Sequence, residues 1–289
     1  MDIGNILIIG VLLGCFYASV GLGFSLIWGI MNIVNLAQGA LLILGAYVAY
    51  FAHALFGLDP FLDILVSMVI MFFVGWLIQF LAINRVIRAP LLVTFMLTFG
   101  LDLLITNLMQ QFWTADIRSI TTSYSNAHID LGFGTIPLVR AAVALVAVLL
   151  TAALSAFLAR TRIGNAILAV GMDRDAARLM GISVPRIYAL TFGLGAALAG
   201  AAGAMLAMTV AFQPSSTGTY TLFAFVVVAL GGLGTPWAAL AGGMLFGLVE
   251  AIVGARPETV GLQSAAAFAI LVVVLILRPS GLLGKAFYS

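Results

Sequence analysis

Two carboxylates fall inside apolar runs of this sequence, Asp102 and Glu250, and ionisable groups so placed are the first candidates for chemistry. Asp102 lies about a dozen residues into its run, close to Asn107, and Arg140 is the basic residue placed to pair with it. Glu250 lies near the end of its own run, within reach of an interface, and Asp63 is expected at an interface too. A proton relay needs carboxylates linked into a chain, and two isolated ones do not make one. Catalysis is served no better: there is no Ser/His pair and no pair of close aspartates on facing segments. His53 and His128 stand alone, without cysteine or carboxylate at ligand spacing, so no metal site is expected. The single cysteine, Cys15, excludes an intrachain disulfide. Near the end, "PSGLLGKAF" superficially suggests a phosphate-binding loop. That motif needs Gly-x4-Gly-Lys-Ser/Thr, whereas Pro279 occupies the first glycine position and Ala286 follows the lysine. No nucleotide site or other cofactor is expected on this chain.

Amides are the second unusual group. "WGIMNIVNLAQGALLILGAY" (28–47) is apolar enough to cross a bilayer, yet it carries Asn32, Asn35 and Gln38. On a continuous helix at about 100° per residue, Asn32, Asn35, Gly39 and Ala46 share one face and Gln38 points away. That face is expected either to pack against another helix or to line a path at a break between Ile30 and Asn35. A second interrupted stretch, "ALGGLGTPWAALAGG", has Gly231, Gly232 and Gly234 where the chain can bend, and Gly242 and Gly243 where a neighbour can press close. The stretches 28–47 and 226–247 are candidates for paired broken segments with a transport site between them, although no residue-by-residue repeat joins them.

The elements that position these residues are membrane spans. Of 289 residues, 64% are hydrophobic and 8% charged, with mean hydropathy +1.23. Soluble domains carry about 25% charged residues, so this surface is not built for water. Apolar segments fall at roughly 5–28, 33–55, 62–83, 90–111, 138–159, 187–210, 220–232, 237–254 and 264–278, most near the length needed to cross about 30 Å of hydrocarbon, with 220–232 and 237–254 short halves on either side of the glycine-rich break. The expectation is an all-α polytopic membrane protein with about eight or nine transmembrane helices, some broken or re-entrant. Residues 1–289 read as one transmembrane domain. Residues 1–20 lack a basic n-region and do not resemble a cleavable leader. Nine of twelve basic residues (Arg85, Arg88, Arg160, Arg162, Arg174, Arg178, Arg186, Arg278 and Lys285) gather on one side if the segments alternate, against Arg118, Arg140 and Arg256 on the other. The positive-inside rule makes the first side cytoplasmic, with the N-terminus outside and the C-terminus inside. The outer loop 112–137, with Trp113, Asp116, Tyr124, His128 and Asp130, reads as a solvated cap.

One cytoplasmic loop, at about 160–187, is longer than a connector needs to be. In "RTRIGNAILAVGMDRDAARLMGISVPRIY" (160–188), Asp173 is placed to cap a helix N-terminus and Asp175 to complement its dipole. Ala176 to Met180 are good helix formers, Gly181 suits a left-handed C-terminal position, and Pro185 bars continuation. A short surface helix is expected, with Ala177, Met180 and Val170 forming a small apolar patch. Physics alone leaves two readings, an interfacial amphipathic helix or a docking helix for a partner.

The segment Asp175-Ala176-Ala177-x-x-x-Gly181 resembles the EAA-type coupling loop of ABC importer permeases, with Asp in place of the usual Glu. More specifically, "RIGNAILAVGMDRDAARLMGI" resembles the loop of the branched-chain amino acid permease family, the LivH/LivM class. Three further stretches agree in order and spacing: 21–47, 226–251 and "RPSGLLGK" (278–285). The compact length resembles the LivH-type subunit. This resemblance implies an ABC importer permease fold and an alternating-access pore made with a second, LivM-type permease subunit. It also implies two cytoplasmic ATPase subunits that bind ATP and Mg, and an external solute-binding protein, all in the bacterial inner membrane and with no nucleic acid. It places Asp173, Asp175, Ala176, Ala177 and Gly181 at the ATPase contact. Asn32, Asn35, Gly39, Asp102, Gly231, Gly232 and Gly234 then fall at the translocation path or at helix contacts beside it. Ile167 stands where relatives often carry a basic residue. Relatives of this class carry branched-chain amino acids, other amino acids, amides or urea, and no residue here decides among them. An ion-coupled secondary transporter centred on Asp102 is the alternative mechanism.

Overall fold

The computed structural model describes residues 3–86, 89–121, 127–130, 135–255 and 257–284. Arg88, Tyr124, Arg256 and Lys285 lie outside the described residues. The described chain is an all-α bundle with one small hairpin, β1 (His128–Asp130) paired antiparallel with β2 (Thr135–Pro137). Helices α1 (Ile3–Met31), α2 (Gln38–Phe56), α3 (Pro60–Ile78) and α4 (Asn84–Val86) come first, α3 and α4 being joined through a π-helical turn. They are followed by α5 (Leu91–Trp113), α6 (Leu138–Arg160), α7 (Arg162–Met172) and α8 (Arg174–Leu179). The last four are α9 (Val184–Thr209), α10 (Thr217–Gly231), α11 (Pro236–Gly254) and α12 (Gln263–Leu277). Eight of the helical stretches are long and apolar enough to cross a membrane, and α7 and α12 are shorter apolar helices. The protein is therefore a multi-pass membrane protein of the kind its composition implies.

In lipid no hydrophobic force drives helices together, so close packing of small residues and buried hydrogen bonds must do it. Helix α9 shows the first device. Its sequence is rich in Ala and Gly, 89% of its most apolar window is buried, and α1, α2 and α3 pack around it. A Cβ on Gly203 would stand 2.0 Å from the Leu42 carbonyl oxygen, so only glycine admits that approach of α2. Ser67 of α3 shows the second, its hydroxyl lying 3.0 Å from the carbonyls of both Gly45 and Gly200. Pro185 stands in the first turn of α9, where a missing N–H costs nothing. The glycines expected to admit neighbours do so, Gly242 against Val227 of α10 and Gly243 against Gly14 and Ala18 of α1.

Helix α5 is the exception. Only 11% of its window is buried, and it rests mainly on α2. Leu92, Phe95, Met96 and Leu104 face outward from it.

Candidate functional site: a docking loop and two broken helices

The stretch between α6 and α9 folds as two helices where one was expected. Thr161 caps α7, its hydroxyl accepting from the Gly164 N–H at 2.9 Å. Gly164, Ile167 and Val170 form the buried face of α7. Ile167 is fully enclosed, an environment that suits an apolar side chain. Asp173 then caps α8, accepting from the N–H groups of Asp175 (2.8 Å) and Ala176 (3.0 Å). These two donors, Ala176 first, hold the Asp173 carboxyl below the usual carboxylate range because they favour its charged form. The helix closes on Gly181 at φ +82°. Gly181 N–H donates to Arg178 O at 2.9 Å and Ile182 N–H to Ala177 O at 3.0 Å, the two bonds of a Schellman motif. Asp175 is exposed and lies 3.5 Å from Arg178.

The apolar patch expected from Ala177, Met180 and Val170 does not form. Ala177 and Val170 face the bundle, whereas Met180 falls at the helix end and points away from it. The residues that project are Met172, Leu179 and Met180, at 88%, 89% and 81% exposure. Three large apolar side chains on a capped, rigid corner suit a partner groove, and methionine adapts to irregular surfaces.

The amide stretch is likewise not a continuous helix, and the shared face of Asn32, Asn35, Gly39 and Ala46 is overturned. Helix α1 stops at Met31, Asn32 takes φ +54°, and regular helix resumes only at Gln38. The break that was the alternative reading is present. An unwound segment inside a bundle must find partners for its peptide groups, and here side chains supply them. Asn35 Oδ1 accepts from Ala37 N–H at 3.2 Å, and Asn35 Nδ2 faces Gln38 Oε1 at 3.5 Å. Gln38 thus works with Asn35, not apart from it. Two threonines from other helices complete the set. The Thr98 hydroxyl of α5 lies 3.1 Å from Val34 O and 3.0 Å from Phe95 O of its own helix, sharing one proton between them, and Thr221 of α10 donates to Leu36 O at 3.1 Å while accepting from Gly39 N–H at 2.9 Å. Asn32 itself is exposed.

The second break follows α10. Gly232 and Gly234 both have φ of +100°, and Thr235 caps α11 through the Ala238 N–H at 3.3 Å. The carbonyls of Leu230 and Gly231, left over at the end of α10, accept from Leu282 and Leu283 N–H at 2.9 Å each. The C-terminal stretch after α12 therefore seals this break. The two breaks adjoin: a Cβ on Gly29, in the last turn of α1, would lie 3.4 Å from Gly234 Cα.

Asp102 does not join either break. It sits half-buried on α5, and its Oδ1 has no hydrogen-bond partner among the described residues. Neither expected partner engages it. The Asn107 amide donates to Leu103 O at 2.7 Å, and Arg140 lines a cavity among α1, α6, α10 and α11 while α5 rests on α2. Some polar contacts had no sequence signal. His53 Nδ1 lies 2.8 Å from Leu58 O and 3.4 Å from Asp63, which is fully buried. The Arg118 guanidinium sits over the rings of Tyr47, Tyr50 and Phe51 at 5.2–5.8 Å. Each joins positions whose proximity only the folded bundle creates.

These features define a multi-pass helical membrane protein with a broken-helix core and a projecting apolar corner. The chain belongs to the family described as branched-chain amino acid transport system / permease component, whose model matches residues 6–277. It is 28% identical over 289 residues to the high-affinity branched-chain amino acid transport system permease protein LivH of Escherichia coli, covering 96% of this chain and 94% of that one. It is 29% identical to the corresponding BraD protein of Pseudomonas aeruginosa, covering 96% and 95%. The LivM permease protein of Salmonella typhimurium is 26% identical, over 92% of this chain and 67% of its own length. No solved structure matches the chain.

Proposed function

We propose that this chain is the permease subunit of an ATP-driven importer that carries branched-chain or related small amino acids across the bacterial inner membrane by alternating access. The single observation that carries the reading is the α7–α8 corner, a capped and rigid projection that presents Met172, Leu179 and Met180 to solvent. Its natural occupant is a cleft on a cytoplasmic ATPase, which would bind the ATP and Mg. A second permease of LivM type would complete the pore, and a solute-binding protein would deliver substrate from outside. In this arrangement the loop end of the bundle is cytoplasmic, the N-terminus lies outside and the C-terminus inside. Asp173, Asp175, Ala176, Ala177 and Gly181 shape the docking corner. Asn32, Asn35, Gly39, Gly231, Gly232 and Gly234 form the two adjoining breaks beside the path, whereas Asp102 stands apart from both on α5. The family relationship supports this reading, as does the use of amides and threonines to hold an unwound segment, a device transporters use where backbone meets a cavity.

The test is leucine uptake by the reconstituted complex in vesicles. Uptake should require internal ATP and survive collapse of the proton gradient. Uptake that persists without ATP and stops when the gradient collapses would replace this reading with ion-coupled transport.

A further inference from the structure

At the end of the bundle opposite the docking corner, a cavity of about 240 Å³ opens between α1, α6, α10 and α11. An ordered water needs about 10–15 Å³ of such space, so this one admits a small molecule. Its polar lining is Tyr17, Arg140, Thr209, Tyr220 and Glu250. Its apolar walls include Leu13, Phe16 and Val143. One basic and one acidic side chain thus share a chamber of mixed polar and apolar walls without forming an ion pair with each other, among the described residues. Glu250 Oε2 is buried there with no hydrogen-bond partner. A second cavity of about 140 Å³, with Gln263 and Ala255 on its wall, lies on the other side of Glu250 and Leu13 and extends the chamber toward the bundle rim.

Arg140 and Glu250 are both part-buried at this wall, Glu250 beside the Tyr17 hydroxyl, and each gives up some hydration there that it does not recover from the other. A ligand carrying both complementary charges would recover it. We propose that this chamber binds an apolar α-amino acid as its zwitterion, the Arg140 guanidinium taking the carboxylate and the Glu250 carboxylate the ammonium. The side chain lies against Leu13, Phe16 and Val143, and the Tyr17 and Tyr220 hydroxyls close the polar side. Guanidinium and carboxylate geometries match in bidentate fashion. The inference rests on the importer reading above and deepens it, placing a substrate station on the side where delivery occurs.

The experiment is equilibrium binding of tritiated leucine to the complete complex in nanodiscs, without ATP and without the solute-binding protein. Competitors are isocaproate, which lacks the ammonium, and isopentylamine, which lacks the carboxylate. Wild type should prefer leucine over either by about thirtyfold, the lower end for losing one partner of a desolvated charge pair. Glu250→Gln should weaken leucine to the isocaproate level while leaving isocaproate binding unchanged. Arg140→Gln should weaken leucine to the isopentylamine level in the same way. Glu250→Asp should recover part of the loss. The proposal is overturned if wild type binds neither leucine nor any other apolar amino acid, if both variants bind the ligand within about twofold of wild type, or if leucine and both analogues weaken together. If leucine uptake is normal yet the variants bind as wild type does, the chamber fails and the importer reading stands. If another amino acid is bound and carried in place of leucine, and the same variants lose it, the substrate reading fails and the chamber stands.

Discussion

Replacing Thr221 by Val should open the unwound segment between α1 and α2. The hydroxyl both donates to Leu36 O (3.1 Å) and accepts from Gly39 N–H (2.9 Å), and no other partner is in place for that N–H. Valine matches the shape and removes both bonds, leaving two peptide groups buried and unpaired. Each such group costs about 1–3 kcal/mol in a protein interior, and hydrogen bonds between membrane helices average about 0.6–2 kcal/mol. Taking about 1 kcal/mol for each of the two groups, the local loss is about 2 kcal/mol, equivalent to about thirtyfold in an opening equilibrium. Hydrogen exchange at the Gly39 amide, read by mass spectrometry on peptides covering 33–41, reports that equilibrium directly. Exchange there should speed up about thirtyfold in T221V and little in T221S, which keeps the hydroxyl. Exchange in α3 and α9 should not change. Equal exchange at Gly39 in wild type and T221V would refute the assignment of Thr221 as the clamp on this break.

Gly181→Val forces a branched residue to φ +82° and should unfasten the Schellman turn, reducing substrate-coupled ATP hydrolysis by the complex about tenfold, whereas Gly181→Asn is tolerated. Asp173 titrates lower in the folded loop than in the unfolded one. Its cap is therefore fully in place above the unfolded value of about 3.9 and is lost as pH falls through the depressed folded value. A spin label on Leu179→Cys should keep a constant line shape down to about pH 4 and gain mobility below it as the helix frays; the only native cysteine, Cys15, is buried and does not compete for label. Gly203→Ala should destabilise the bundle by about 1–3 kcal/mol, seen as lost thermal resistance in detergent. Gly100→Ala, where an added methyl meets nothing within 4 Å, should leave it unchanged or slightly stabilised.

How much of this was legible before folding differs by element. Spans, their order and the glycine breaks follow from apolar length and from where Gly and Pro fall, because lipid imposes both constraints locally. The cap at Asp173 and the turn at Gly181 are local as well, each settled within a few residues. Helix α7 was missed because its apolar face, Gly164, Ile167 and Val170, is short and reads as loop until the bundle buries it. The face assigned to Asn32, Asn35 and Gly39 failed for a different reason. Helical periodicity assumes unbroken geometry, and what stabilises the break is Thr98 and Thr221, 64 and 185 residues from the carbonyls they serve. Nothing in the local sequence reports a donor that arrives from another helix.

The same long-range contacts connect the docking corner with the core. Gly171, at the end of α7, lies against Ile30 and the Gly29 carbonyl, in the last turn of α1 before the first break. Gly29 in turn stands close enough to Gly234 of the second break that an added methyl would meet it, and the α10 end of that break is sealed by the C-terminal stretch. A force applied at the α7–α8 corner therefore arrives beside both places where the helices are already interrupted. Helices resist bending along their length, so a displacement arriving at such a bundle is absorbed at breaks, where only side-chain hydrogen bonds must be exchanged. In the proposed importer, this sets Thr98, Thr221 and Asn35 apart from residues that meet substrate. They hold one arrangement of the joint, and the strength of their bonds sets how much work an ATPase must deliver to change it.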